Sequence, residues 1–264
     1  MRMNSAYEPV LALAREAGAA ILEVYARDFA VGHKDDRSPL TDADMAAHHL
    51  IVDGLRRLDP AVPVLSEESA AVPWTERRAW RRYWLVDPLD GTREFVKKNG
   101  EFTVNIALIE DGVAVFGVVH APVLDEMHVG LLGEGAWRCD GSGRVPVAAR
   151  RPATTPLRVA ASRSHLDTRT ASAIVRMGEV ERIGMGSSLK FCRLADARLD
   201  VYPRFAPTSE WDTAAGQCVL EAAGGVVLCL DGRPLRYNTK DSLLNPDFIA
   251  LGDPMQPWRS WLDD

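Results

Sequence analysis

The chain reads as a layered α/β sandwich in two lobes, and three observations predict it. The first half is rich in apolar segments with strand spacing, two of which flank Asp111-Gly112, a strong hairpin signal. The second half instead alternates strand-like and helix-like segments. Between the halves, residues 148–156 carry Arg150, Arg151, Pro152 and Pro156, a composition suited to a joint. Lobes of 1–155 and 156–264 are therefore expected. At 264 residues the chain is long enough for one large core or two tightly joined lobes.

Taken in order, Val10, Leu13, Ala14, Ala17, Ile21, Val24 and Tyr25 follow helical spacing and predict an amphipathic first helix. A second helix is expected from Thr41 to about Leu58, stopping before Asp59-Pro60. Strand signals follow at 62–65 and 84–86. Segments 102–109 and 113–120 form the hairpin around Asp111-Gly112, and 127–132 with 136–139 form another around Gly133 and Gly135. In the second half, strand 158–161 precedes a helix at 168–177, and strand 181–184 precedes a helix at 188–197. Strand 199–202 then leads to a helix at 211–223, with a last strand at 226–230. Trp258 and Trp261 sit among polar residues and look exposed, a position open to a core, an interface or a loose membrane contact.

Composition removes several function classes. The longest apolar runs, such as 113–119, are far too short to cross a bilayer. No basic segment followed by an apolar stretch opens the chain, so no signal peptide is expected. The net charge of −6 argues against a duplex nucleic-acid binder, whose affinity rests on neutralising phosphates. Small anionic ligands stay compatible with it, since a bound cation reverses the local potential. Cys139, Cys192, Cys218 and Cys229 show no C-x-x-C pair, so neither a zinc site nor a disulfide framework is expected, and a reducing cytoplasm is the simplest setting.

Chemistry concentrates in the acids. In Trp84-Leu85-Val86-Asp87-Pro88-Leu89-Asp90-Gly91-Thr92 an apolar strand stops at an acid, turns through proline, and offers a second acid and a hydroxyl. Two carboxylates three residues apart on a tight turn suit a hard divalent cation such as Mg²⁺, although Pro, Asp and Gly also suit a plain surface turn. Glu67 is the first polar group past the 62–65 strand and a natural third ligand. Asp212 opens a small-residue helix, where an acid also serves as an N-cap. Thr41-Asp42-Ala43-Asp44 has the form of a capping box. Each acid has a structural explanation by itself; their conjunction does not.

The set S-E-E at 66–68, W-L-V-D-P-L-D-G-T at 84–92 and W-D-T-A-A-G at 211–216 resembles the lithium-sensitive, Mg²⁺-dependent inositol monophosphatase superfamily. Further segments resemble its bacterial 3′(2′),5′-bisphosphate nucleotidase branch: 38–41, 93–95, 99–108, 162–165, 186–192 and 202–205. The resemblance covers nearly the whole chain and implies the five-layer αβαβα fold shared with fructose-1,6-bisphosphatases. It implies that Glu67, Asp87, Asp90, Asp212 and the main-chain carbonyl of Leu89 hold two or three Mg²⁺ ions, with Asp87 bridging two of them. It implies that Thr92 and Asp44 position and deprotonate the attacking water, while the backbone of Gly91 and Thr92 faces the phosphate. Substrate is expected to touch Glu67, Leu89, Asp90, Gly91, Thr92 and Asp212 at the reacting end, and His165, Ser187, Lys190 and Arg204 at the nucleotide end. Lys190 and Arg204 carry the right charge for a 5′-phosphate that is bound and not cleaved.

The reaction so implied turns 3′-phosphoadenosine 5′-phosphate into AMP and phosphate, with the corresponding phosphosulfate as a second substrate, in sulfate assimilation. The expected partner is a small nucleotide, with no nucleic acid and no transmembrane segment. A cytoplasmic setting, with or without peripheral contact at the inner face of the membrane, and a monomer or homodimer are all compatible with it. An inositol or other sugar monophosphatase with the same metal site is the alternative substrate reading. A haloacid-dehalogenase-like phosphatase fits less well, because its D-x-D-G-T spacing is one residue shorter than Asp87 to Thr92 and leaves Glu67 and Asp212 unexplained. A non-catalytic anion sensor is opposed by the intact Asp44 and Thr92.

Overall fold

The computed structural model describes residues 5–27, 31–33, 39–161 and 167–262. Helices α1 (Glu8–Tyr25) and α2 (Asp42–Leu58) open the chain, separated by a two-stranded ribbon of β1 (Val31–His33) and β2 (Pro39–Thr41). Thr41 caps α2. Its Oγ1 accepts from the Ala43 N–H at 3.2 Å, and the Asp44 carboxylate accepts from the Thr41 N–H at 2.7 Å, the capping box that the sequence predicts.

A seven-stranded sheet follows in sequence order: β3 (Val64–Ser66), β4 (Arg82–Asp90), β5 (Thr103–Glu110), β6 (Val113–Ala121), β7 (Glu126–Leu131), β8 (Gly135–Asp140) and β9 (Gly143–Val147). Only β3 and β4 run parallel; the later pairs are antiparallel, β4 and β5 joined through residues 91–102 and the rest through short turns. At the β5–β6 turn Asp111 and Gly112 both take positive φ (47° and 78°), as a two-residue hairpin of matching twist requires. Short helices α3 (Trp74–Arg77) and α4 (Thr92–Val96) flank β4.

The second sheet has the order β11-β10-β12-β14-β13, from β10 (Leu157–Ala161), β11 (Val180–Gly184), β12 (Val201–Arg204), β13 (Val226–Cys229) and β14 (Phe248–Leu251). Its helices are α5 (Thr168–Arg176), α6 (Leu189–Ala195) and α7 (Glu210–Ala222). The strand period of two divides the apolar residues between three cores. Trp84, Val86, Ile106 and Leu108 pack on α1 and α2, while Leu85, Ala107 and Ile109 face α6 and α7. Phe248 and Ala250 meet the same central layer from the other sheet, and Ile249 and Leu251 point away onto α5. The result is helices, sheet, helices, sheet, helices, the five-layer order expected.

Some elements depart from expectation. β9 and β14 carry no strong period-two signal; β9 is an exposed edge and exists because β8 offers it a pairing partner. β12 begins two residues later than the sequence suggests, and α6 is shorter at both ends. Trp258 and Trp261 are not exposed: each retains 4% of its surface. They are three apart in a single 3₁₀ turn, so both project to one side, into the core beneath α5.

α7 lies almost on the backbone of the seven-stranded sheet. A Cβ at Gly117 would stand 2.5 Å from the Ala215 carbonyl oxygen, and one at Gly130 2.6 Å from the Val219 Cα. Both obstacles are main chain and cannot rotate away. At the edge of the same layer, buried His128 on β7 meets the Asp196 carboxylate just past α6 at 3.3 Å, and Arg193 on α6 pairs with Glu126 on β7 at 2.6 Å.

Two outcomes follow. Gly130→Ala should destabilise the protein by about 1–3 kcal/mol, the range for overpacking a filled core, in urea unfolding. For His128, burial alone lowers the pKa, yet the Cys192 sulfur and the Asp196 carboxylate outweigh it and push the imidazole up to about 9. A folded pKa above the ordinary 6.5 gives a contribution complete below that pH and lost as pH rises toward 9. Between pH 6.5 and 9.5 the wild type should therefore lose more stability than His128→Asn, by on the order of 1 kcal/mol or more. Equal slopes in paired urea titrations would refute this.

Candidate metal and catalytic site

Strand β4 does not stop at the first acid; it runs through Asp90. Asp87 pairs with Asn105 and Asp90 with Thr103, so three steps on β4 oppose two on β5. This is a β-bulge, and it matters because side chains three apart on a regular strand face opposite ways. The extra residue returns Asp90 to the side of Asp87. Pro88, which has no N–H to donate, stands inside the irregular stretch, and the Asp87 carboxylate accepts from the Leu89 N–H at 3.1 Å.

Two other acids are set by helix starts. Asp212 is not the N-cap of α7, as the helix pattern suggests; Ser209 holds that place in extended geometry (φ −92°, ψ 164°). Asp212 sits three residues on and reaches back, its Oδ2 accepting from the Ser209 N–H at 2.9 Å. Asp44 repeats the device on α2, with Oδ2 on the Thr41 N–H and Oγ1, both at 2.7 Å. In each case one oxygen holds the cap and the second is not used by it. For Asp44 that second oxygen, Oδ1, lies 3.4 Å from the Thr92 hydroxyl, which is also 3.3 Å from the Leu89 carbonyl.

Asp87, Asp90 and Asp212 thereby come together from two elements 122 residues apart in sequence, each offering an oxygen within 4.8 Å of the others. Glu67, at the turn after β3, brings its carboxyl within hydrogen-bonding reach of Asp87. Ser188, immediately before α6, ties the group to the second half of the chain. Its N–H donates to Asp90 Oδ2 at 2.5 Å, and its hydroxyl lies 2.7 Å from that oxygen and 2.6 Å from the Asp212 carbonyl. Asn105 Nδ2 donates to the Ser188 hydroxyl at 2.9 Å, and its own Oδ1 accepts from Thr103 at 3.0 Å. Sequence reasoning assigned no role to Ser188 or Asn105. A signal existed for Asn105: Thr103 and Asn105 are polar at alternate positions of an otherwise apolar strand.

Electrostatically the group is strained without a cation. Burial, then the charges of Glu67, Asp90 and Asp212, hold the Asp87 carboxyl well above the usual carboxylate range. Burial and then Asp90 push Asp212 up to about 8, with Arg204 pulling weakly the other way. An all-oxygen set that resists ionising by itself fits a hard divalent cation, which supplies the missing positive charge.

The acids stand at one end of a cleft of about 730 Å³ lined by Gly91, Ser187, Lys190, Arg204 and residues of α4, α5 and β12. Gly91 takes φ +91°, and a Cβ there would also press on the Glu101 carbonyl at 3.1 Å, so glycine frees the start of α4 to face the cleft. Lys190 is buried, its Nζ donating to the Ser187 carbonyl at 2.9 Å. Arg204 donates to the carbonyls of Ala206 and Pro207 at 3.1 and 3.0 Å. His165 lies outside the described residues.

Residues 3–252 match the model of the inositol monophosphatase family. The chain is 50% identical over 245 residues to the 3′(2′),5′-bisphosphate nucleotidase CysQ of Salmonella typhimurium, covering 91% of this chain and 97% of that one. The crystal structure of CysQ from Bacteroides thetaiotaomicron, at 42% identity, superposes with a TM-score of 0.80 and covers 92% of this chain and 95% of its own. An IMPase of Thermotoga maritima, 26% identical, gives 0.75 with coverage of 92% and 90%.

Asp87 and Asp212 both hold protons more tightly folded than unfolded, and for Asp212 the folded chain binds more protons over the interval between the ordinary value of 3.8 and about 8. Stability then falls as pH rises through that window. In chelator, thermal unfolding should show this fall, and excess divalent cation should reverse it by occupying the acids in their charged form. A cation effect that is the same at pH 5 and pH 8 would count against the site.

Proposed function

The chain belongs to the inositol monophosphatase family, and on that premise we propose that it is a Mg²⁺-dependent phosphomonoesterase that hydrolyses 3′-phosphoadenosine 5′-phosphate to AMP and inorganic phosphate. The observation that carries the substrate is the 50% identity to a bisphosphate nucleotidase across nine-tenths of the chain. The corresponding phosphosulfate is read as a second substrate. Residues 1–155 form a lobe with most of the acids, and 156–264 a lobe with Asp212 and the nucleotide contacts. Of the described residues, no helix is long and apolar enough to cross a membrane, and the setting proposed is the cytoplasm.

Glu67, Asp87, Asp90, Asp212 and the Leu89 carbonyl are the donors for the two or three Mg²⁺ ions. When bound, such ions lower the pKa of water and neutralise charge on the entering and leaving oxygens of an in-line displacement. The chain's own groups do the rest. The Thr92 hydroxyl is within reach of Asp44 Oδ1, and when it donates there its lone pairs accept from the attacking water and fix its direction. Asp44, buried and held by the Thr41 cap, receives the water's proton through Thr92. The Gly91 and Thr92 N–H groups, at the start of α4, face the phosphoryl oxygens. No side chain forms a bond to phosphorus.

Phosphate release from the bisphosphate nucleotide and from inositol 1-phosphate, measured side by side, tests the reading. The nucleotide should be preferred by at least tenfold in kcat/KM, with Li⁺ inhibiting. A tenfold preference for the inositol ester would overturn it in favour of the sugar monophosphatase. In the same assay Asp44→Asn should lower kcat by roughly 10²-fold or more with KM little changed, as loss of a positioned base does.

A further inference from the structure

We infer that Lys190 is a positioning residue for the cation site: through the peptide group that joins Ser187 to Ser188 it holds the Asp90 carboxylate in place to receive a divalent cation. The inference rests on the cation-site reading above, and its extension to substrate rests on the nucleotidase reading.

One peptide group carries a contact at each end. Its carbonyl oxygen, that of Ser187, accepts from the Lys190 ammonium at 2.9 Å. Its N–H, that of Ser188, donates to Asp90 Oδ2 at 2.5 Å, on the wall of the cleft that Lys190 also lines. The peptide dipole therefore has its negative end on a cation and its positive end on an anion. Hydrogen bonds in such a chain polarise one another, so an ammonium on the carbonyl makes the N–H a stronger donor to the carboxylate. The Ser188 hydroxyl adds to the same hold, 2.7 Å from Asp90 Oδ2 and 2.6 Å from the Asp212 carbonyl. As at Asp44 and Asp212, one carboxylate oxygen is moored and the other is not used by the mooring.

Ser187 takes φ +47°, in the left-handed region that a residue with a Cβ keeps only where its surroundings impose it. Three hydrogen bonds impose it here: the Gly186 N–H on the Glu101 carboxylate at 2.9 Å, Lys190 on the Ser187 carbonyl, and the Ser188 N–H on Asp90. Lys190 is itself placed by packing. It is 8% exposed, its Nζ stands 5.2 Å from the centre of the Tyr202 ring, and that ring meets Phe191 and Phe248 edge-on at 5.4 and 5.6 Å. Without the ammonium the Ser187–Ser188 peptide is free to turn. Asp90 then loses the donor that keeps it beside Asp87 and Asp212 against their mutual repulsion. An ammonium has three protons, so Lys190 can hold the carbonyl and a substrate phosphate together. A phosphate on Lys190 and a cation on Asp90 thus meet at one peptide group. Two expectations of opposite sign follow. As a plain positive charge Lys190 opposes cation binding; as a positioning group it favours it.

The test is a calorimetric titration of the full chain with Mg²⁺, in the absence of nucleotide, for the wild type, Lys190→Met, Lys190→Ala and Lys190→Arg. Urea unfolding in chelator checks that each is folded. The expected result for Lys190→Met is a Kd for Mg²⁺ raised about threefold or more although a positive charge has been removed, as loss of an outer support for a metal ligand predicts. Lys190→Arg keeps a donor for the Ser187 carbonyl and should stay within about twofold of the wild type. Lys190→Ala is read as Lys190→Met is, so either one suffices if the other does not fold. An unchanged or tighter Kd in these two would overturn the inference and leave Lys190 only its charge. A loss in Lys190→Arg as large as in Lys190→Met would also overturn it, tracing the effect to packing on Tyr202. A wild type that binds no Mg²⁺ would overturn it together with the cation-site reading. A preference for inositol 1-phosphate would remove only the nucleotidase reading, because no nucleotide enters this titration.

Discussion

The structure depends on one constraint: several carboxylates are held against each other around buried Asp87, at the wall of a cleft. Two unit charges 4.8 Å apart repel by about 3 kcal/mol at the effective dielectric suited to protein sites. Three acids in mutual contact, with Glu67 beside them, would spread apart if their backbones allowed it. The fold does not allow it. A bulge fixes Asp87 and Asp90 on one side of β4, and capping hydrogen bonds fix Asp212 at the start of α7. Ser188 pins Asp90 to the main chain of Asp212. Burial and this crowding raise the proton affinities of Asp87 and Asp212, and an all-oxygen set of this kind suits a divalent cation.

Holding those acids in place requires that the central helical layer cannot slide. α7 brings Asp212 to β4 because Gly117 and Gly130 let it approach the sheet to main-chain contact. α6 is gripped at both ends. Ser188 binds the acids at its start, and the pairs His128–Asp196 and Arg193–Glu126 bind its far end to β7. The apolar cores on either side of this layer supply most of the stability, while the polar contacts define its register. Substrate chemistry and packing therefore act on the same two helices, and a change in the packing of one is felt by the acids at its N-terminus.

Much of the fold was legible because its signals are local. The helices at 8–25 and 42–58 carry long amphipathic patterns, and Asp111-Gly112 announces a hairpin that demands positive φ. The capping box at Thr41–Asp44 was readable residue by residue. Strands β9 and β14 were not, since one is an exposed edge and the other a four-residue apolar run that suits several structures. Trp258 and Trp261 misled because neighbouring polar residues say little about which side of a 3₁₀ turn meets a core. For the same reason Ser188 and Asn105 gained roles only in space: each depends on what lies across a gap between distant segments.

By itself the sequence determined the chemistry. Carboxylates at strand and helix ends, with a hydroxyl beside them, offer an all-oxygen set suited to a divalent cation, because residue type and local spacing fix which charges are offered. The resemblance of those motifs to the inositol monophosphatase family implied hydrolysis of a phosphate ester. The tertiary structure decided how those charges are used. It put Asp212 against Asp87, turned Asp90 through a bulge, and set Lys190 and Arg204 on the wall of the same cleft. Repulsion, burial and hydrogen-bond competition are properties of three-dimensional neighbours, and a linear pattern does not contain them.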